Sequence, residues 1–387
     1  MRLKVKKMLK GGEYFVSLEN VDFNFEETEK ITATAVRDTY RVAMANCFAC
    51  PIRCKKVVQV GPPYNVDPAY GGPEYETLAS MGSDCGIVDL KAVAKAHEIC
   101  HAYSLDTISA GATVAFAMEC FENGLLTLQD TDGIDLRFGN GEALMAVMEK
   151  IGKREGIGDL LAEGTKRAAE RIGKGAEKFA MHVKGVELGM HEPRLKQGLG
   201  LGYAVCAHGA DHGVGLHDTF YDSDTPQLRA ANIFGIYEPL PLTDLSTQKA
   251  MMFKRLHQWT WLRDSLVMCS FVPYGHQQLI DLLAAVTGWN TSIYEAMLVG
   301  ERIVTTARAY NMREGLTAAD DRLPDRFHGG TAMGPLQNTP IDRAALDKAI
   351  HTFYALMGWD PQTGVPTQVK LEELGIPTAP IPMVPAR

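Results

Sequence analysis

The segment "CFACPIRC", residues 47 to 54, sets Cys47, Cys50 and Cys54 at C-x2-C-x3-C spacing in one short stretch. Three soft ligands this close dictate the local backbone around whatever they bind, and a fourth ligand must come from elsewhere in the chain. Structural zinc takes four tetrahedral ligands, commonly as two paired halves, and the sequence offers no second C-x2-C. Iron–sulfur clusters are held by cysteine thiolates, often with three from one tight loop and the last from far away. A cluster, a zinc site and a set of reduced structural cysteines all remain open on spacing alone. The other cysteines are Cys85, Cys100, Cys120, Cys206 and Cys269. Cys100 and Cys120 fall in apolar helical stretches, where a buried thiol packs as a small hydrophobe. Cys269, in "WLRDSLVMCSFVPYG", precedes a Pro/Gly break where a side chain can leave a helix end, and it is the best fourth ligand on sequence.

The chain has 387 residues, 46% hydrophobic and 22% charged, which suits roughly two domains of about 150 residues each. A formal charge of −8, with no basic run longer than "KVKK", leaves no electrostatic footprint for nucleic acid. No such partner is expected. The longest small-and-apolar stretch, "ISAGATVAFAM" at 108 to 118, is about half of the roughly 20 residues that a spanning helix needs. "MRLKVKKMLK" lacks the apolar region of a signal peptide. The expectation is therefore a cytoplasmic protein without a membrane partner. Thiols stay reduced there, which favours metal ligation or redox chemistry over disulfides.

Helical patterns dominate the organisation. "FEETEKITATAVRDTYRVAMAN" (25 to 46) predicts a helix that delivers the cysteine loop at its C-terminal end, with Pro51 preventing continuation. "CKKVVQV" predicts a short strand before the turn-rich "GPPYNVDPAYGGPEYE". Further helical segments, each stopped near a glycine or turn, run to "IGDLLAEGTKRAAERIGKG". The Gly-rich passage 196 to 217 is the expected domain junction, and "NTSIYEAMLVGERIVTTARAYN" opens with a Ser292-x-x-Glu295 capping box. "HEICH", His97 to His101, matches H-E-x-x-H, which on a helix puts two histidines on one face for zinc beside a glutamate base. No third ligand follows at the downstream spacing of the better-specified zincins, and a solvated helix face is the plainer reading.

Together the blocks "NCFACPIRC", "GGPEYETLASMGSDCGI", "SLDTISAG", "LLAEGTKRA", "AMHVKGVELGMHEPR", "GLGLGYAVCAHGADH" and "RDSLVMCSF" resemble the C-terminal region of the tungsten-dependent aldehyde:ferredoxin oxidoreductase family, from about Phe25 to about Phe327. The resemblance implies a mainly α fold, a multihelical two-domain arrangement like the C-terminal domains of that family. It divides the chain into an atypical lead-in (1–24), a helical domain with the cysteine loop and first pterin site (25–195), and a helical domain with the second pterin site and fourth cysteine (196–387). The implied cofactors are a tungsten (or molybdenum) bis-pterin and a [4Fe–4S] cluster on Cys47, Cys50, Cys54 and Cys269. Asp264 matches the family's pterin-binding D-x-x-x-x-C arrangement with Cys269, and Asp106 in "LDTISAG" matches the aspartate of the other pterin. A carboxylate can accept two N–H bonds from a pterin edge; an ordinary N-cap is the alternative for each.

His212 matches the histidine expected near the tungsten, against a loop histidine satisfied by backbone carbonyls. Glu74 and Glu76 in "GGPEYE" compete for the family's active-site glutamate, a general base, and the sequence does not choose. Arg194 reads as structural. Glu98 and His101 match the E-x-x-H iron site of some family dimer interfaces, and with it a homodimer. The implied activity is oxidation of an aldehyde to a carboxylic acid, with electrons leaving through the cluster to ferredoxin or another iron–sulfur protein. Trp259, Trp261, Phe271 and Tyr274 are candidates for an aromatic pocket, though such spacing more often means core. The family's N-terminal β-rich domain has no counterpart here, so a separate polypeptide is expected to supply it, or the chain is a truncated product with apolar cofactor-facing surface exposed. Two other classes stay open: a non-catalytic iron–sulfur electron-transfer subunit and an H-E-x-x-H zinc hydrolase.

Overall fold

The stretch around Tyr40 decides the first departure from the sequence reading. In the computed structural model, which describes residues 26–331 and 336–377, helix α1 (Ala33–Thr39) is N-capped by Thr32, whose hydroxyl accepts the Ala35 amide at 3.1 Å. The chain then extends into β1 (Arg41–Ala45), which pairs antiparallel with β2 (Lys55–Val58). The cysteine loop is thus a hairpin tip and not the C-terminal end of a helix. Non-local pairing explains the correction: the strands satisfy one another's backbone groups, the Gln59 amide bonds to Tyr40 O at 3.0 Å, and Val58 buries its β-branched side chain. The predicted strand in "CKKVVQV" is present as β2. The expected lead-in, residues 1–24, lies outside the described residues.

The chain divides into two compact units, Met1–Glu192 with Pro324–Thr339, and Pro193–Leu323 with Pro340–Arg387. Against the expected boundary after residue 195, the first unit ends at Glu192 and takes in a later segment that a linear reading does not assign to it. The fold is mainly α throughout. In the first unit α2 (Tyr75–Leu78), α3 (Leu90–Tyr103), α4 (Thr107–Glu122), α5 (Gly141–Lys153), α6 (Ile157–Leu161) and α7 (Gly164–Ile172) surround one hydrophobic core. Asp89, Asp106 and Asn140 cap α3, α4 and α5 by accepting the Lys91, Ser109 and Ala143 amides. Small residues let α4 run through the centre: a Cβ at Gly111 would come within 2.7 Å of the Ser80 side chain. Cys100 and Cys120 are buried, and burial pushes each thiol up to about 12. A short ribbon of β3 (His182–Val183) and β4 (Val186–Glu187) closes this unit.

One polar group in that core lacks a partner. Asp84 is 4% exposed, and neither carboxylate oxygen has a hydrogen bond. It lines a cavity of about 20 Å³ with Glu119, which is held by Arg326 at 2.7 Å and 3.0 Å. Burial, reinforced by the Glu119 charge, raises the Asp84 carboxyl well above its ordinary range. The folded chain therefore keeps Asp84 protonated where the unfolded chain has lost the proton, and stability falls as pH rises from the unfolded pKa toward the folded one. Asp84→Asn should remove that dependence. Relative to wild type it should gain up to about 1.4 kcal/mol per pH unit above about pH 4. Urea unfolding at several pH values checks this; parallel profiles for the two proteins would show that Asp84 is not the titrating group.

The second unit is built on α10 (Thr247–Ser265), which packs on α12 (Ile293–Arg313) and α13 (Arg343–Leu356); α8 (Gln197–Val205), α9 (Pro226–Ala230), α11 (His276–Thr287) and α14 (Gln368–Glu373) complete it. Ser246 caps α10 and Ser292 caps α12 by accepting the Glu295 amide at 3.2 Å. The α10–α12 crossing closes at Gly300, where a Cβ would lie 2.0 Å from Gln258 O. Every residue of α8 is buried. Its first amides, on Gly198 and Leu199, donate to Asp218, which also pairs with Lys249. Among the described residues no helix is long and apolar enough to cross a membrane.

Candidate functional site

The hairpin tip carries the cysteine trio. The Cys50 amide bonds to Cys47 O at 3.0 Å, the Asn46 side chain donates to Cys50 O at 3.0 Å, and Arg53 donates to Met44 O at 2.9 Å. Ala49 (φ 55°) and Arg53 (φ 52°) sit in the left-handed region, coiling the loop tightly. Cys47 and Cys54 are exposed and Cys50 is half-buried; in the second unit Cys269 is exposed too. The remaining four cysteines are all buried. Free cysteine is among the most buried residue types, and Cys47, Cys50, Cys54 and Cys269 depart from that tendency. Residues 39 to 66 contain Arg41, Arg53, Lys55 and Lys56 and no acidic residue, so positive charge surrounds the loop. Lys56 is paired with Glu74.

Cys269 follows the end of α10, with its sulfur accepting the Phe271 amide at 3.4 Å. Val267 and Phe271 beside it are 90% and 72% exposed, so this segment shows apolar surface. Asp264, in the last turn of α10, is exposed and takes Arg263 at 3.0 Å. Asp106 is the N-cap of α4, with one oxygen 2.9 Å from the Ser109 amide. The N-cap alternative therefore holds for Asp106 and not for Asp264.

Glu74 and Glu76 separate clearly. Glu74 flanks the start of α2 with its side chain 55% exposed and its carboxylate on Lys56. Glu76 lies within α2 at 16% exposure; one oxygen accepts the Met190 amide at 2.8 Å and the other is 3.1 Å from His191 Nε2. Tyr75 donates its hydroxyl to Met190 O and places its ring 5.3 Å from that of His191. His191 was missed in the sequence, where Arg194 drew attention in the same stretch. A histidine three residues before an arginine carries no spacing signal by itself.

In the second unit, the loop after α8 holds His212, 30% exposed, with Nδ1 3.9 Å from Asp211 Oδ1. Sequence reading also passed over its neighbours. His208 Nε2 is 2.9 Å from Asp211 Oδ2, and Cys206 Sγ lies 3.5 Å from His208 Nδ1 and 3.8 Å from Nε2. Bonds to Asp211 and Cys206 push His208 up to about 10. Burial works against the Asp211 carboxylate, but bonds from His208 and the Gly213 amide bring it below its ordinary value. Behind His208, Trp261 stands edge-on at 5.5 Å and donates to His257 Nε2 at 3.1 Å. His257 Nδ1 therefore carries the proton and donates to Val214 O at 2.7 Å, and burial pushes His257 down to about 4.

The H-E-x-x-H stretch has local uses. His97 Nε2 lies 3.2 Å from Tyr70 O, burial lowers its pKa to about 4, and its ring is 4.1 Å from that of His101. Glu98 accepts the Asp67 amide at 2.7 Å and Lys95 at 2.5 Å, which commits the carboxylate to fixing a turn on α3. Trp259 belongs to the core, 5.2 Å from Phe234 and 4.9 Å from His276. Phe271 and Tyr274 are exposed.

Comparison with known proteins gives the family of the chain. The family profile described as "Aldehyde ferredoxin oxidoreductase, domains 2 & 3" matches residues 13–376. A tungsten-containing aldehyde ferredoxin oxidoreductase of Pyrococcus furiosus is 36% identical over 350 residues, 88% of this chain and 54% of that protein. The protein of the same name from Thermococcus kodakarensis is 34% identical over 91% of this chain and 56% of its own length. The WOR-like subunit of an aliphatic sulfonate oxidoreductase, also from P. furiosus, is 30% identical over 85% of this chain and 50% of its own length. The chain thus spans about half the length of these curated relatives. Among solved structures, the active-site complex BamBC of benzoyl-coenzyme A reductase with 1,5-dienoyl-CoA matches with a TM-score of 0.74 at 21% identity, over 94% of this chain and 57% of that one.

Proposed function

The chain belongs to the aldehyde ferredoxin oxidoreductase family, and from that premise we propose that it acts in a tungsten (or molybdenum) bis-pterin oxidoreductase that converts aldehydes to carboxylic acids and passes electrons through a [4Fe–4S] cluster to ferredoxin or another iron–sulfur protein. The observation that carries this reading is the split among the cysteines: Cys47, Cys50, Cys54 and Cys269 stay accessible while the other four are buried. Four accessible thiols, three of them on one tight loop, are the donor set a [4Fe–4S] cluster takes. When bound, the bis-pterin metal supplies the two-electron chemistry and the cluster single-electron transfer.

The rest falls to protein groups. Asp106 and Asp264 accept N–H donors from the two pterin edges, Asp106 with the oxygen not used in capping α4. Glu76 is the general base, taking a proton from the water that adds to the aldehyde carbon, with His191 at its second oxygen holding it in place. Glu74 is left a surface ion pair with Lys56. His212 exchanges a proton with the carbonyl oxygen of the substrate.

Anaerobic purification followed by elemental analysis tests the proposal. Tungsten or molybdenum with about four irons per chain, and aldehyde-dependent reduction of a viologen dye, are expected. Iron without either metal would reassign the chain as an electron-transfer subunit, and zinc alone would revive the hydrolase reading.

A further inference from the structure

The cavity beside Asp84, in the first unit, takes no part in the proposed oxidation. Asp84 follows a widened turn over Ala79–Ser83, closed by its own amide on Ala79 O at 2.9 Å, and such π turns recur at functional sites. Its side chain is buried, with both carboxylate oxygens unpartnered, and it lines a cavity of about 20 Å³. One occupant of water size fills such a volume. Glu119 on α4 brings a second carboxylate to the lining and is held by Arg326. The rest of the wall is apolar and includes the rings of Phe116, Phe138 and Phe179. Phe179 already attracts cations: Lys178 Nζ lies 4.5 Å and Arg326 Cζ 5.7 Å from its centroid.

Charge decides what such a cavity takes. Ionised Asp84, ionised Glu119 and Arg326 sum to one negative charge among apolar walls, and a carboxylate left so in a dry core is costly. A proton on Asp84 removes that charge, and so does one monovalent cation against its two oxygens. Calcium and magnesium overshoot it, and they ask for a cage of oxygen ligands, whereas Asp84 and Glu119 bring the only side-chain oxygens of this lining among the described residues. We propose that Asp84 is the ligand of a water-sized monovalent cation, potassium or ammonium, bound between its carboxylate and the aromatic wall in competition with the proton. Both ions are weakly hydrated, and both are drawn to ring faces. The groups that bear on the competition are Glu119 from α4, Arg326 from the segment after Pro324 and the neighbouring Cys85 thiol. Burial and the Glu119 charge raise the Asp84 carboxyl and favour the proton, while Arg326 opposes them. Low pH therefore favours the proton and higher pH the cation.

Urea unfolding of the full chain at pH 8 tests the proposal. Ionic strength is held constant while choline, too large for the cavity, is exchanged for potassium, ammonium or lithium. Potassium and ammonium should stabilise wild type, the unfolding constant falling about tenfold for each tenfold rise of the ion once the site is mostly filled. Lithium, which holds its hydration shell tightly, should leave it at the choline value. Asp84→Asn keeps the shape without the charge and should unfold alike in all four salts. In crystals soaked with thallium(I), a potassium substitute, an anomalous peak should lie beside Asp84 in wild type and be missing from the variant. Equal wild-type midpoints in potassium, ammonium and choline overturn the proposal, and so does a potassium shift that persists in Asp84→Asn. If that variant proves unfolded, wild type decides alone: a lithium shift equal to that of potassium, or no peak beside Asp84, overturns it. Absence of tungsten or iron from the purified chain would count against the proposed oxidation and leave these measurements intact.

Discussion

Cys269→Ala is expected to leave the chain folded and to strip it of iron, from about four atoms per chain to background, together with the absorption near about 400 nm that bleaches with dithionite. Cys50→Ala should do the same. The reason lies in coordination and not in packing. Cys269 is exposed and Cys50 only half-buried, so removing either thiol opens no closed core cavity, while a cubane that loses one of four thiolates loses an anionic ligand that water replaces poorly. Cys120→Ala provides the contrast, since that thiol is buried and inert and its loss should cost stability and keep the colour. Thermal unfolding monitored by circular dichroism, with iron counted on the same samples, separates the two effects. A Cys269→Ala protein that keeps its iron and its absorption would remove Cys269 from the ligand set and, with it, the strongest reason for reading electron transfer into the chain.

Much of this was legible in the chain before any coordinates, and the parts that were not share a cause. Spacing alone marked Cys47, Cys50 and Cys54, because their grouping is local in sequence. The caps at Asp106 and Ser292 were legible for the same reason: a cap is decided within three residues. The helix expected through 41–45 failed because a partner strand at 55–58 outweighed local propensity, and β propensity expresses what a segment pairs with more than what it is. Glu74 and Glu76 are two residues apart and chemically alike. What distinguishes them is Lys56 on one side and Met190 with His191 on the other, and neither contact can be read from spacing. The His208–Asp211–His212 arrangement was within reach, since a seven-residue run with one cysteine, two histidines and one aspartate is dense in titratable groups. Asp211 bonds to His208 and lies beside His212 in that run, and matching a single histidine to a family motif does not signal such neighbours. Cys206 also shows the limit of the small-hydrophobe rule for buried thiols: it is buried, yet it lies against an imidazole.

Lys249→Met should be the most destabilising single change in the second unit, costing about 3–5 kcal/mol in urea unfolding. Lys249 and Asp218 are fully buried, and Lys249 also donates to Pro241 O at 3.0 Å. Burial raises the Asp218 carboxyl, with Lys249 and two backbone amides opposing that rise. Methionine matches the lysine stem in volume, so the loss is one of charge: the carboxylate stays in a dry core with the Gly198 and Leu199 amides and no cation. Asp218→Asn with Lys249→Met should recover much of the loss, because the double variant buries neither charge. Lys153, half-exposed and paired with Glu149 on the surface, gives the control: Lys153→Met should hardly move the midpoint. The consequence reaches beyond stability, because Asp218 holds the first turn of α8 and the last turn of α8 leads into the loop of Cys206, His208, Asp211 and His212. Lys249→Met should therefore broaden or shift the side-chain resonances of His208 and His212 in conditions where the unit is still folded. A midpoint within about 1 kcal/mol of wild type, with those resonances unmoved, would mean that the pair is solvated in solution and that the loop takes its position from α10 alone.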